Sequence, residues 1–223
     1  MTTPFYVAPE QMMKDRADYA RKGIARGRSL IAMAYADGVF ICAENPSSTL
    51  HKVSEIYDRI AFAGVGKYNE FDQLRIAGVR HADLKGFTYS REDVEARSLA
   101  NNYAQMLGQT FTHEMKPMEV EILVAEITDT PGEEQLFHIL YDGTVMDETN
   151  FVVLGGDSDA ITERVSAGFK PNLSASAALE VARGALAGDD RTLEDADLEV
   201  AMLDRNRGRR TFTRIADEDI SSL

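Results

Sequence analysis

The sequence predicts an α+β protein built from two antiparallel sheets with helices on their outer faces. Three observations carry this. Strand-like and helix-like runs are segregated in the order helix, four strands, two helices, four or five strands, two helices, two strands. Regular alternation would instead signal a doubly wound parallel sheet. The strand runs are near-continuously apolar, so both faces of each sheet are covered. The pairs Asp37-Gly38 and Asp142-Gly143 separate such runs, as tight antiparallel hairpins require. No internal repeat or low-complexity linker interrupts the chain, and one domain is expected over 1–223.

The first element is a helix over 9–24, with Met13, Ala17, Ala20 and Ile24 recurring at helical spacing. Pro9 suits a first helical turn, where a missing N–H costs nothing. The region is locally basic, with Lys14, Arg16, Arg21, Lys22, Arg26 and Arg28. This charge is either a solvated face or a surface that meets an acidic neighbour. "SLIAMAY" and "VFICAE" form a hairpin, and "HKVSEI" with "RIAFAGVG" form a second, turning at Tyr57-Asp58. Asn69 caps a helix to about His81 that turns Phe71, Leu74, Ala77 and Gly78 inward. Ser90 with Asp93 resembles a shortened capping box. It starts a helix to Thr110 whose inner stripe is Leu99, Tyr103, Met106, Leu107 and Thr110.

Four strands follow Pro117: "EVEILVAEI", "LFHILYD", "TVMDE" and "FVVLGG". A helix then starts near Asp159. Another is capped by Ser174 and turns Ala178, Val181, Ala182 and Ala185 inward. "LEVAMLD" and "RRTFTRI" make the last strand pair. The polar tail 216–223 is expected to fray.

The chain has 223 residues, 44% of them hydrophobic, enough for one sizeable core. Its formal net charge of -13 argues against nucleic acid as a partner, because such binding needs cations on phosphates. It argues equally against an anionic membrane surface. The single cysteine, Cys42, lies in an apolar run and reads as a buried structural thiol. No signal peptide or membrane span is evident, and a reducing cytoplasmic setting fits.

Familiar chemical patterns fail one by one. "GVGKYNE" lacks both the earlier glycine of a phosphate loop and the Ser or Thr after its lysine. The four histidines, His51, His81, His113 and His138, are scattered, so no metal site and no cofactor is expected. No GxSxG elbow occurs. An N-terminal threonine hydrolase needs a threonine with a free amine leading directly into a strand. Thr2 leads into a loop and a helix. The residue at the head of the first strand is Ser29, and an ordinary peptide bond precedes it.

Four segments carry a family resemblance over nearly the whole length: "ARKGIARGRS", "AENPSSTLHKVSEIYDRIAFAGVGKYNEFDQLR", "KPMEVEILVAEI" and "LYDGTVMDETNFVVLGG". In these the chain resembles the α-type subunits of the proteasome core particle, in their actinobacterial form. The resemblance implies a four-layer α/β/β/α sandwich, the N-terminal nucleophile hydrolase fold, with an extra N-terminal helix and no active-site threonine. It implies a non-catalytic subunit of a heptameric outer ring capping catalytic β subunits. The helix from Pro9 then lies on top of the ring, and the two central helices face the β ring. The implied partners are copies of itself, proteasome β subunits, an AAA-type ring ATPase, and unfolded or pup-tagged protein substrates. A processed hydrolase of the same fold is the alternative. A mature terminus created between Arg28 and Ser29 would distinguish it. A free-standing binding protein would instead be monomeric.

Two functional regions follow from the resemblance. Lys52 looks like the lysine at the bottom of a pocket between adjacent subunits, into which the ATPase inserts its C-terminal tail. Gly66 and Lys67 match nearby pocket positions more loosely, and Gly27 more loosely still. The gate is the N-terminal segment Thr2, Thr3, Pro4, Phe5, Tyr6, Val7 and Ala8, whose symmetry copies meet over the pore. Archaeal and eukaryotic relatives begin with a Tyr-Asp-Arg trio that steadies the open gate, and this chain lacks it there. Pro9 and Tyr19 resemble the trio's proline and tyrosine partners, with a spacing that differs by one residue.

Overall fold

The computed structural model describes residues 8–223. Helix α1 (Pro9–Ala25) leads into the hairpin β1 (Leu30–Tyr35) and β2 (Gly38–Glu44), then β3 (Val53–Tyr57) and β4 (Ile60–Gly66). Two helices follow, α2 (Tyr68–Thr88) and α3 (Ala96–His113), then β5 (Val120–Glu126), β6 (Gln135–Ile139), β7 (Val145–Glu148) and β8 (Phe151–Leu154). The chain continues with α4 (Ser158–Gly168), α5 (Ala175–Ala187), β9 (Leu198–Asp204) and β10 (Phe212–Ile215). The strands form two five-stranded antiparallel sheets, β10-β9-β2-β1-β8 and β3-β4-β5-β6-β7. The fourth strand of the second run, β8, therefore leaves its sequence neighbours and joins β1.

Three cores separate four layers. Ala32, Ile41 and Leu203 of the first sheet meet Ala63, Leu123 and Leu136 of the second. Phe62, Ile122 and Val124 of the second sheet turn outward to Leu74 of α2 and to Leu99 and Tyr103 of α3. Ile31, Met33 and Phe40 of the first sheet turn outward to Val165 of α4 and to Ala178 and Ala182 of α5. Successive residues along β1 and β2 thus serve two different cores, which is why neither strand alternates in sequence. All seven residues of β2 are buried. Cys42 is one of them, and burial pushes its thiol up to about 12.

Several boundaries differ from expectation. The second hairpin turns at Asp58-Arg59, leaving Tyr57 in β3. Asn69 does not cap α2, whose cap is Lys67, two residues earlier. There the Lys67 backbone N–H donates to the Glu119 carbonyl at 3.0 Å. That helix runs to Thr88, because Ala82 is buried and Gly86 packs against the Tyr57 hydroxyl. Ser90 caps only a 3-10 turn at Arg91–Asp93. The first N–H of α3, at Ala96, is satisfied from another strand by the Glu126 carboxylate at 2.8 Å. Leu99, Tyr103 and Leu107 are buried as expected, while Met106 and Thr110 are half-buried. Ser174 caps α5 as expected, accepting from the Ala177 N–H at 3.2 Å.

The tail carries regular structure. Residues Asp217–Ser222 form a 3-10 helix, and Ile220 is fully buried in the core beneath α5. Ile220, with the half-buried Leu223 packed on the same core, anchors an otherwise polar stretch.

Helix α1 closes one end of the sandwich. Ala20 and Ile24 are buried in the core between the sheets, with Ala17 packed against it. Met13 is exposed, contrary to the helical pattern. Part of the basic charge of this region is used internally. Arg16 donates to the Thr110 carbonyl at 3.2 Å and to the Glu114 carbonyl, at the C-terminus of α3, where a cation is favoured. Arg28 pairs with Glu44 at 2.7 Å. Lys14, Lys22 and Arg26 remain exposed.

Candidate functional site

The place where α1 hands over to β1 gathers the residues singled out above. Ser29 stands at the head of β1, buried, and its hydroxyl donates to the Gly155 carbonyl at 3.1 Å. The Lys52 amine donates to the Arg28 carbonyl at 2.6 Å, one residue before Ser29. A lysine thus points at the peptide bond preceding the strand, with no carboxylate in ion-pair contact among the described residues. Burial lowers its pKa to about 8, although Glu199 and Glu44 act in the opposite direction. Arg28 reinforces the lowering and itself leans on Glu44, as does Arg191 at 3.0 Å.

Glu199 holds the Lys52 segment in place. This carboxylate of β9 accepts from the backbone N–H of Lys52 at 2.7 Å and of Val53 at 3.1 Å. It also accepts from the Asn45 amide at 2.8 Å and from Arg214. One buried acid of the first sheet therefore pins the start of β3 in the second. Sequence reasoning missed it, because a glutamate inside "LEVAMLD" carries no local sign of a partner 147 residues away.

Gly66 and Lys67 lie on the neighbouring strand end. The Gly64 N–H donates to the Lys52 carbonyl at 3.0 Å, tying the two segments together. Gly66 has φ of 99° and lies against the Glu119 carbonyl, a conformation and a closeness that only glycine tolerates. Gly27 packs on Gly66: a Cβ on Gly27 would stand 3.2 Å from the Gly66 nitrogen. Gly27, Lys52, Gly66 and Lys67 are thus brought to one end of the sandwich. Their state differs. Lys52 touches a carbonyl, whereas Lys67 is paired with Glu119 at 2.7 Å.

Glu119, just before β5, is a second residue that sequence reasoning missed. It pairs with Lys116 at 2.9 Å as well as with Lys67. Burial acts to raise its pKa, but the two lysine ammonium groups beside it outweigh that and hold the carboxyl below its usual range. Lys116 also pairs with Glu70 at 2.7 Å and lies 5.7 Å from the centre of the exposed Tyr19 ring. Pro9 opens α1, and Ala8 is its extended cap. Thr2, Thr3, Pro4, Phe5, Tyr6 and Val7 lie outside the described residues.

A cavity of about 610 Å³ opens beside this junction, lined by Gly27, Arg28, Ser29, Glu44, Arg164 and Arg191 among others. A larger cleft of about 860 Å³ lies at the opposite end, around Asp58, Arg59, Arg91 and Arg209. Its cations are committed to acids, as in the bidentate Arg91–Asp58 pair at 2.9 and 2.6 Å. Among the described residues no helix is long and apolar enough to cross a membrane.

A two-sheet sandwich of this topology, with a lysine aimed at the head of its first strand, defines a class. The proteasome subunit family profile matches residues 24–202, and the chain belongs to that family. It is 63% identical to proteasome subunit alpha of Acidimicrobium ferrooxidans, over 99% of this chain and 95% of that one. It is 54% identical to the subunit of the same name from Xylanimonas cellulosilytica, over 96% of this chain and 93% of that one. For proteasome subunit alpha of Thermobifida fusca the figures are 52%, 100% and 91%. The likeness is thus to the alpha type, as the sequence segments implied.

Proposed function

We propose that the chain is the non-catalytic α-ring subunit of a bacterial proteasome core particle. In this reading seven copies form the outer ring on proteasome β subunits. The N-terminal segment 2–8 gates the entry of unfolded or pup-tagged proteins. Lys52, with Gly27, Gly66 and Lys67, receives the C-terminal tail of an AAA-type ring ATPase in the cytoplasm. The observation that carries the reading is the closed head of β1. Helix α1 buries Ala20 and Ile24 in the inter-sheet core, the residue that leads into β1 is a buried serine, Ser29, and not a threonine, and the Lys52 amine donates to the Arg28 carbonyl. A threonine-type hydrolase needs a free α-amine and an open cleft at that place. What is left there is a compact cation in a partly desolvated recess, which suits a chain-terminal carboxylate.

Electron microscopy of the chain assembled with its β partner tests this. Seven-fold outer rings with density at the axis are the expected result. Intact mass should place the mature terminus at or near Met1. Cleavage between Arg28 and Ser29, or a monomer by gel filtration in the presence of β subunits, would overturn the reading.

A further inference from the structure

Among the described residues both sheets end in open edges, and the two sides of the sandwich carry opposite charge. On one side lie β10 of the first sheet and β3 of the second. Arg210 joins them through Glu55, and Arg214 donates to the Val53 carbonyl at 2.7 Å. On the other side lie β8 and β7, linked through Thr149 and Asn150. Residues 205–215, which lead into β10 and form it, hold five arginines and no acid. Residues 142–163, which include β7 and β8, hold six acids and no lysine or arginine. In a chain of net charge -13 acids are expected everywhere, so the arginine run is the exception.

Three of these arginines are committed inside the fold: Arg205 to Glu134, Arg210 to Glu55 and Arg214 to Glu199. Two are left. Arg207 holds only the Thr213 hydroxyl. Arg209 is 76% exposed and 3.6 Å from Asp58, whose two oxygens already accept from Arg91. On the acidic edge, Asp147 meets Arg97 at 3.2 Å in an exposed pair, and the half-buried Glu148 pairs with no cation among the described residues. The two patches stand at one level. The Arg205 N–H donates to the Asp37 carbonyl at 3.0 Å, and the Ala34 N–H donates to the Asn150 carbonyl at 2.7 Å. The arginine loop and the β7–β8 turn therefore flank the end of β1 from opposite sides.

We propose that the β10–β3 edge of one copy docks on the β7–β8 edge of the next, with Arg207 and Arg209 meeting Asp147 and Glu148. The partner is a second copy of this chain, and the inference rests on the ring reading above. Two different patches on opposite sides make a head-to-tail contact, which closes into a ring when the rotation allows. Each exposed ion pair contributes little strength. Its work is direction: two arginine edges repel, as do two acidic ones, so every copy joins in the same sense.

Ring formation with β subunits, followed by native mass spectrometry and electron microscopy, tests this. Arg207→Glu with Arg209→Glu leaves both edges acidic and should slow ring formation roughly tenfold or more. Asp147→Lys with Glu148→Lys leaves both edges basic and should do the same. The fourfold variant exchanges the edges at unchanged net charge and should recover the parental rate. Glu180→Lys, on the exposed face of α5, controls for net charge alone and should assemble like the parent. Thermal melting of each chain separates loss of contact from loss of fold. Where a reversal lowers the melting temperature, the neutral Arg207→Gln with Arg209→Gln replaces it, with a smaller slowing expected. If the reversed variants melt and assemble like the parent, the edge contact is overturned and the ring stands. If each reversal blocks assembly and the fourfold variant does not recover it, the charge pairing is overturned. If the parental chain forms no ring with β subunits, the ring reading fails and takes the inference with it.

Discussion

Lys52 and Lys67 carry the same charge near the same place, yet their surroundings make them different tools. The Lys52 amine, lowered to about 8 by burial, is the group whose protonation changes near neutral pH. The groups around it are Glu199 of β9, Glu44 of β2 and Arg28, with His51 lying 3.5 Å from Glu199. Between pH 8 and the ordinary lysine value of 10.5, folding releases its proton, so its contribution to stability rises with pH in that window. Docking runs the other way, because a carboxylate needs the ammonium. Affinity for a tail peptide, followed by titration from pH 7 to pH 9, should fall, and Lys52→Ala should abolish the dependence. At pH 7 the same substitution should cost about 2–5 kcal/mol of binding. Unchanged affinity would remove Lys52 from the pocket. A second test concerns packing alone. Gly78 of α2 faces the Tyr103 hydroxyl, which is buried without a partner among the described residues. Gly78→Ala should destabilise by about 1–3 kcal/mol. Tyr103→Phe should be neutral or stabilising, since it deletes an unpaired buried hydroxyl. In that background Gly78→Ala should cost measurably less. Strict additivity by denaturant unfolding would show that the contact is not the cause.

Elements announced by their own residues were legible, and those fixed by distant ones were not. The Asp142-Gly143 turn and the Ser174 cap are local chemistry, and both stand where the sequence places them. The start of α3 is capped by Glu126, which reaches it from β5, so Ser90 and Asp93 pointed to the wrong residue. Helix α2 runs past its expected end near His81, and Gly86 in the added turns is a contact surface for Tyr57. The lysines of the proposed pocket were singled out only through resemblance; the acids that position them, Glu119 and Glu199, act across the fold and left no pattern. The tail offers a direct check on this scale. Ile220→Ala should cost about 2–5 kcal/mol, as for any buried large-to-small change. A loss within about 0.5 kcal/mol, typical of a surface site, would mean that the tail contributes little.

For the whole molecule, the decisive feature is that helix α1 packs Ala20 and Ile24 into the core between the sheets at one end of the sandwich. Deleting residues 2–8 should speed peptide hydrolysis by particles assembled with β subunits while leaving assembly intact, because Pro9 and the buried face of α1 are retained. An unaltered rate in correctly assembled particles would count against gating. The same end of the molecule carries both the helix and the lysines of the proposed pocket. A regulator bound there would need no long path to reach the pore.

The bond from Glu199 to the start of β3 also has a meaning in time. The Lys52 backbone waits for an acid 147 residues further along the chain. At a synthesis rate of about 5–20 residues per second, that acid leaves the ribosome on the order of ten seconds later. Strand β2 likewise waits for β9 to complete its sheet. Lys52, the lysine of the proposed pocket, is therefore set in its final position only as translation ends, so a prematurely terminated chain would present no finished pocket.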